Sequence, residues 1–264
     1  MEISGTVSLV TGGSGGIGAG VARRLAAAGS SVVVADVDSA AGAAVAEEIG
    51  GVFVRCDVSR LADTEAAVTT AVQRFGGLDI AFLNAGVSTG IGVGEDFDLE
   101  RYRRVMGINL DGVVFGVHAA LPALRARGGG LIVATASLAG LVGMPLDPLY
   151  GANKHAVVGL VRSLGPALGR ENIRVQGLCP SFARTQIIVG MEDTIAATGS
   201  PILTVEDVVD GFWAAAQSEG SGECWHVIPG RDLEPFRFRG VPGPRDASGA
   251  RTGALTPEAQ VGGP

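Results

Sequence analysis

The chain has 264 residues, of which 47% are hydrophobic and 18% charged, with a formal net charge of −7. A chain this long buries a large core without staples, and its composition excludes a disordered segment-rich polymer. The acidic balance argues against a nucleic-acid partner, which needs a basic face. Cys56, Cys179 and Cys224 are odd in number and widely spaced, with no CxxC. A disulfide framework and a metal site are therefore not expected, and a reducing, cytoplasmic setting is. No run of roughly 18 uncharged apolar residues and no basic-then-apolar leader is present, so no membrane association is expected.

Apolar β-branched runs alternate with longer amphipathic stretches. The first predicts a strand over 7–10, followed at once by glycines. Helical spacing of Ile17, Val21 and Leu25 predicts a helix over 17–28, stopped by Gly29. Strands follow over 32–35, 52–56 and 78–83, separated by helices over 39–49 and 61–75. A long helix is predicted over 99–127, weakened by Gly107 and Gly112, and then a strand over 131–135. A helix over 149–168, a strand over 173–178, a helix over 205–216 and a strand over 224–228 complete the pattern. Strands apolar throughout are buried on both faces. The alternation predicts an α/β fold: one doubly wound domain with a parallel sheet of about seven strands and helices on both faces. That domain is assigned to residues 1–239. Residues 240–264 are rich in Gly and Pro, with only Val241, Leu255 and Val261 large and apolar, and are expected to form a flexible tail.

The turn after the first strand reads Thr11-Gly12-Gly13-Ser14-Gly15-Gly16-Ile17-Gly18. It fits G-x-G-x-x-G through Gly13, Gly15 and Gly18, and G-x-x-x-G-x-G through Gly12, Gly16 and Gly18. Between a strand and a helix, such a turn brings bare backbone and a positive helix end to a phosphate. Asp36 closes the second strand, where a carboxylate accepts hydrogen bonds from ribose hydroxyls and repels a 2′-phosphate. No basic residue stands at 12–18 or 37. The expected cofactor is therefore NAD rather than NADP.

Tyr150 and Lys154 lie four residues apart, on one face of a predicted helix. An ammonium beside a phenol favours the phenolate, so the pair suits acid–base chemistry. Lys154 is the only lysine against nineteen arginines, which marks a position that needs a compact charge.

With these motifs in place the chain resembles a short-chain dehydrogenase/reductase of the single-domain Rossmann kind, over about residues 5–230. The resemblance selects the G-x-x-x-G-x-G form of the turn and implies cofactor contacts from Gly12, Ser14, Gly15, Gly16, Ile17 and Gly18. It adds Asp57 and Val58, for the adenine, and Asn84, Ala85 and Gly86, which match the family's N-A-G. It also implies a catalytic set of Asn109, Ser137, Tyr150 and Lys154. Tyr150 would take a proton from a secondary alcohol as hydride leaves for the nicotinamide. Ser137 would hold the reacting oxygen, Lys154 would lower the Tyr150 pKa and hold the ribose, and Asn109 would fix a water beside Lys154. Pro180-Ser181 replaces the family's Pro-Gly, and Pro180 and Thr185 are kept as cofactor contacts. Leu138, Met144 and Phe182, with Ser137 and Tyr150, are the expected substrate contacts, and their apolar character predicts a hydrophobic alcohol or ketone. Segment 186–203 is expected to order over the substrate. A symmetric homodimer or homotetramer is implied. The alternatives are an NADPH-dependent carbonyl or 3-oxoacyl thioester reductase, and a catalytically silent dinucleotide-binding regulator.

Overall fold

A computed structural model describes residues 1–250 apart from Met191, Thr198 and Val241. Of the tail, Leu255 and Val261 lie outside the described residues, as does Val241.

The apolar runs assemble into one sheet of eight strands in the order β3-β2-β1-β4-β5-β6-β7-β8. These are β1 (Val7–Thr11), β2 (Ser31–Asp36), β3 (Val52–Arg55), β4 (Ile80–Leu83), β5 (Gly130–Thr135), β6 (Ile173–Pro180), β7 (Glu223–Val227) and β8 (Glu234–Pro235). The first seven are parallel, as the alternation of strands and helices predicts. The two-residue β8 pairs antiparallel with β7 and has no counterpart among the predicted strands. It is too short to carry a sequence pattern.

The helices are α1 (Gly16–Ala27), α2 (Ser39–Glu48), α3 (Leu61–Phe75), α4 (Leu99–Met106), α5 (Gly112–Ala126), α6 (Pro148–Leu168), α7 (Glu192–Ala197) and α8 (Val205–Gln217). Alternate strand residues feed two cores. Leu9 and Val33 face Val68, Val117 and Val157 of α3, α5 and α6. Val10, Val34 and Phe82 face Leu25, Val45 and Phe212 of α1, α2 and α8. Strand order reverses between β1 and β4, which opens a crevice at their carboxyl ends.

The predicted helix over 99–127 is one continuous rod with a wider π turn at Gly107–Asp111. The two glycines flank that turn. A Cβ on Gly112 would stand 2.8 Å from Val58 Cγ2, so a larger residue would push α5 off the loop after β3. The turn also carries Asn109 inward, where it is fully buried. At 28 residues and a mean hydropathy of 1.3 over its most apolar stretch, Leu99–Ala126 has the length and composition of a membrane-crossing helix. The sequence criterion of an uncharged run did not register it, because Asp111 interrupts the apolar stretch. Here its apolar side, including Val113, Val117, Ala120 and Leu124, belongs to the core.

Segment 186–203 is described apart from Met191 and Thr198. A single 3₁₀ turn at Gln186–Ile188 precedes α7, Ile188 and Ile195 are buried, and Leu203 bonds back to Phe182 and Arg184.

Candidate active site

One cavity of about 380 Å³ runs along the carboxyl ends of the strands, from Asp36 past the glycine turn to Phe182 and Ile188. Its dinucleotide end is built by the turn between β1 and α1. Gly12 has φ +63°, and a Cβ there would lie 2.9 Å from Ala85 Cα. Gly18 packs behind the turn, where a Cβ would collide with the Gly12 carbonyl. Helix α1 starts with no side-chain cap and no acidic residue in its first turn. Its amide ends therefore remain available to an anion. A Cβ on Gly15 would meet nothing within 4 Å, so the space above the turn is open.

Asp36 closes this end. Its carboxylate accepts from the Ser14 amide at 3.0 Å and the Asp38 amide at 3.1 Å. It thus holds the turn while facing the cavity. An uncapped helix end and an open glycine cradle together fit the phosphates of a dinucleotide.

The predicted residues divide into two groups. Gly12, Ser14, Gly15, Gly16, Ile17, Asp36, Asn84, Ala85, Gly86, Ser137, Leu138, Met144, Tyr150, Lys154, Pro180, Phe182 and Thr185 line the cavity. Gly18, Asp57, Val58 and Asn109 do not appear on its wall. Asp57 accepts from the Ser59 amide at 3.0 Å and the Ser59 hydroxyl at 2.6 Å, which shapes the approach to α3. Asn84 spends its side chain on the switch point: its amide donates to Thr11 O at 3.2 Å, and its oxygen accepts from Thr135 Oγ1 at 3.1 Å.

The Asn109 amide is occupied twice by one residue. It donates to Val87 O and accepts from Val87 N, both at 2.8 Å. The side chain therefore ties the π turn to the loop after the N-A-G. A Cβ on Gly86 would lie 3.4 Å from Asn109 Oδ1 and 3.7 Å from Lys154 Nζ, so these groups do meet at one corner of the site.

Tyr150 and Lys154 stand one turn apart on α6. Lys154 is 3% exposed and donates from Nζ to Thr135 O at 2.8 Å. The same Nζ lies 5.7 Å from the Tyr150 ring centroid. Ser137 Oγ accepts from the Ala139 amide at 3.1 Å and donates to Pro180 O at 3.5 Å, which aims it across the cavity floor.

The sequence expects Lys154 to lower the Tyr150 pKa. Burial instead pushes Tyr150 up to about 12, while its hydrogen bond with the Ser137 hydroxyl pulls the other way and Asp147 adds to the rise. Burial also lowers Lys154 to about 8. In a closed, low-dielectric site both charged forms lose hydration, which disfavours the phenolate and the ammonium alike.

Sequence reasoning missed three polar contributors. Thr135 holds Lys154, and Ser88 and Asp147 line the cavity. Asp147 had a readable signal. Asp followed by Pro marks an N-cap and first helical position, so α6 starts before residue 149.

Comparison with known proteins agrees with this architecture. The family model described as short chain dehydrogenase matches residues 6–195. A 2,5-dichloro-2,5-cyclohexadiene-1,4-diol dehydrogenase of Sphingobium indicum is 41% identical over 228 residues, covering 85% of this chain and 90% of its own. A cyclohexanol dehydrogenase of Acinetobacter sp. is 36% identical over 206 residues, covering 76% of this chain and 82% of its own. The crystal structure of a 3-ketoacyl-(acyl-carrier-protein) reductase from Brucella melitensis, complexed with NADH, superposes with a TM-score of 0.80 at 30% identity over 87% of this chain and 99% of that one. The doubly wound sheet, the glycine turn and the Tyr150–Lys154 pair on α6 agree with a match of this extent: the chain belongs to the short-chain dehydrogenase/reductase family, whose members are oxidoreductases that use a nicotinamide dinucleotide.

Proposed function

We propose that this oxidoreductase uses NAD to interconvert a neutral, hydrophobic secondary alcohol and its ketone. The observation that carries the reading is the shared cavity, with Ser137, Tyr150 and Lys154 on its floor and Asp36 at its far end. A bound nicotinamide dinucleotide would supply the hydride acceptor. Gly12 to Ile17 would hold its phosphates, Asp36 its adenosine ribose, and Lys154 the second ribose. Thr185 and Pro180 would border the reacting end. Asp57 and Val58 would act at the adenine end through the loop after β3.

Tyr150 is the group that would exchange a proton with the substrate oxygen. Its burial keeps it a phenol until nearby positive charge favours the phenolate. Lys154 supplies part of that charge. Ser137 would hold the substrate oxygen by hydrogen bonding and stabilise its developing charge. The Asn109 side chain would set the position of Val87 and so the wall beside Lys154.

The substrate end supports a neutral ligand. Leu138, Met144, Phe182 and Ile188 supply apolar walls, and among the described residues Lys154 is the only basic one on the cavity's surface. An anionic substrate would meet Asp147 with no arginine to receive it. Two relatives are named for alcohols on six-membered carbon rings, which supports a ring of that size. A symmetric homodimer or homotetramer remains part of this reading.

The test is a panel of cyclic and acyclic secondary alcohols with NAD⁺ or NADP⁺, read by absorbance of the reduced cofactor. Turnover of neutral cyclic alcohols with NAD⁺ is expected. Turnover with NADP⁺ and none with NAD⁺ would support the carbonyl reductase reading instead.

A further inference from the structure

Asp147 does more than cap a helix. Its carboxylate is 9% exposed and receives four donors. The Tyr150 amide at 2.9 Å and the Thr89 hydroxyl donate to Oδ1. The Gly90 amide at 3.1 Å and the Ser88 hydroxyl at 3.4 Å donate to Oδ2. Capping accounts for the first bond alone. The other three come from the loop that follows β4 and the Asn84-Ala85-Gly86 stretch. Thr89 is 1% exposed, so its hydroxyl has no access to bulk water. Gly90 adopts φ +57°, and a Cβ there would lie 2.9 Å from Arg101 Nη2. Gly90 thus turns its amide toward Asp147 in a backbone conformation that favours glycine, and both Ser88 and Asp147 line the cavity.

We propose that Asp147 is a positioning residue that fastens the Ser88–Gly90 loop to the catalytic helix and sets a fixed negative charge beside Tyr150. The proposal rests on the alcohol–ketone reading of the site. The charged and titratable groups around this position are Lys154 on the same helix, Cys179 on β6, and Arg101 of α4, which flanks Gly90. Segment 88–90 itself brings no charge. The Asp147 carboxylate favours the protonated phenol, and it is among the groups that raise Tyr150. Its loss therefore eases deprotonation.

The experiment compares wild type, Asp147→Asn and Thr89→Val. Hydrogen exchange of the Gly90 amide is measured first, and then the pH dependence of kcat and KM for alcohol oxidation. Asp147→Asn is expected to lose Gly90 protection. It should also move the rising limb of kcat to lower pH by about one unit. Thr89→Val keeps the charge, so KM should rise several-fold with the limb in place. A merely structural cap would lower thermal stability and move neither Gly90 protection nor the limb. Unchanged Gly90 protection in Asp147→Asn, or an unmoved limb, overturns the proposal. If Asp147→Asn does not fold, Thr89→Val decides: an unchanged KM overturns the proposal and a raised KM supports it. A wild-type protein inactive toward every alcohol would refute the alcohol reading, and hydrogen exchange would still test the fastening.

Discussion

Lys154 is held in a place that disfavours its own charge, and replacing it should separate stability from activity. Burial lowers its pKa from the ordinary 10.5 to about 8. At 1.36 kcal/mol per pH unit, this means that the charged side chain costs the folded state roughly 3 kcal/mol near neutrality. Lys154→Met removes that cost and keeps an unbranched apolar chain of similar length. It also deletes the bond to Thr135 O, worth about 1 kcal/mol. The net is about 2 kcal/mol of stabilisation, or a Tm higher by about 4–8 °C for a domain of this size. The pH dependence fixes the sign. Below pH 8 Lys154 is charged in both states and the cost is present in full. Between about 8 and 10.5 the folded protein releases the proton while the unfolded chain holds it, so wild-type stability rises with pH. The advantage of Lys154→Met should shrink across that window. The assay is thermal unfolding of both proteins without ligand at pH 7 and pH 10, beside turnover measurements in which the variant should be inactive. A variant that melts below wild type at pH 7, or a gap that does not narrow at pH 10, would refute the reasoning.

Tyr150→Phe should lower turnover by about 10²–10⁴-fold, the range for losing a general acid–base, with dinucleotide affinity largely kept when measured by calorimetry. Asp36→Ala removes the carboxylate proposed to face the ribose diol and frees the Ser14 amide, so the ratio of NADP⁺ to NAD⁺ in kcat/KM should rise by at least tenfold in paired initial-rate assays. Gly12→Ala forces a side chain into φ +63° against the Ala85 backbone. It should cost about 1–2 kcal/mol from the backbone conformation alone and weaken NAD⁺ binding, as read by thermal shift and calorimetry.

Regular elements with a long apolar signal were legible from the sequence. Residues 32–35 of β2, 80–83 of β4 and 131–134 of β5 are apolar without a break because both faces of the sheet are buried there, so its centre could be read strand by strand. The turn at Gly12 to Gly18 and the Tyr150–Lys154 spacing placed both ends of the cavity before its walls were known. What escaped lacks local periodicity. The π turn at Gly107–Asp111 depends on Val58 and Val87, which are distant in sequence. β8 is two residues long, and α7 only six. The Tyr150 pKa escaped because the sequence shows which charges are near but not how dry the site is. Asp-Pro made Asp147 legible as a cap, but its bonds to Ser88, Thr89 and Gly90 were not, because no pattern links that loop to α6.

On the proposed reading, Tyr150 exchanges a proton with a secondary alcohol in this cavity while NAD⁺ is reduced. The direct measurement mixes wild type or Tyr150→Phe with NAD⁺ and a neutral cyclic alcohol, and quantifies ketone and reduced cofactor together. Wild type should yield the two products in equal amounts at a rate that rises with pH, and Tyr150→Phe should yield almost none. Equal rates in the two proteins would contradict the account.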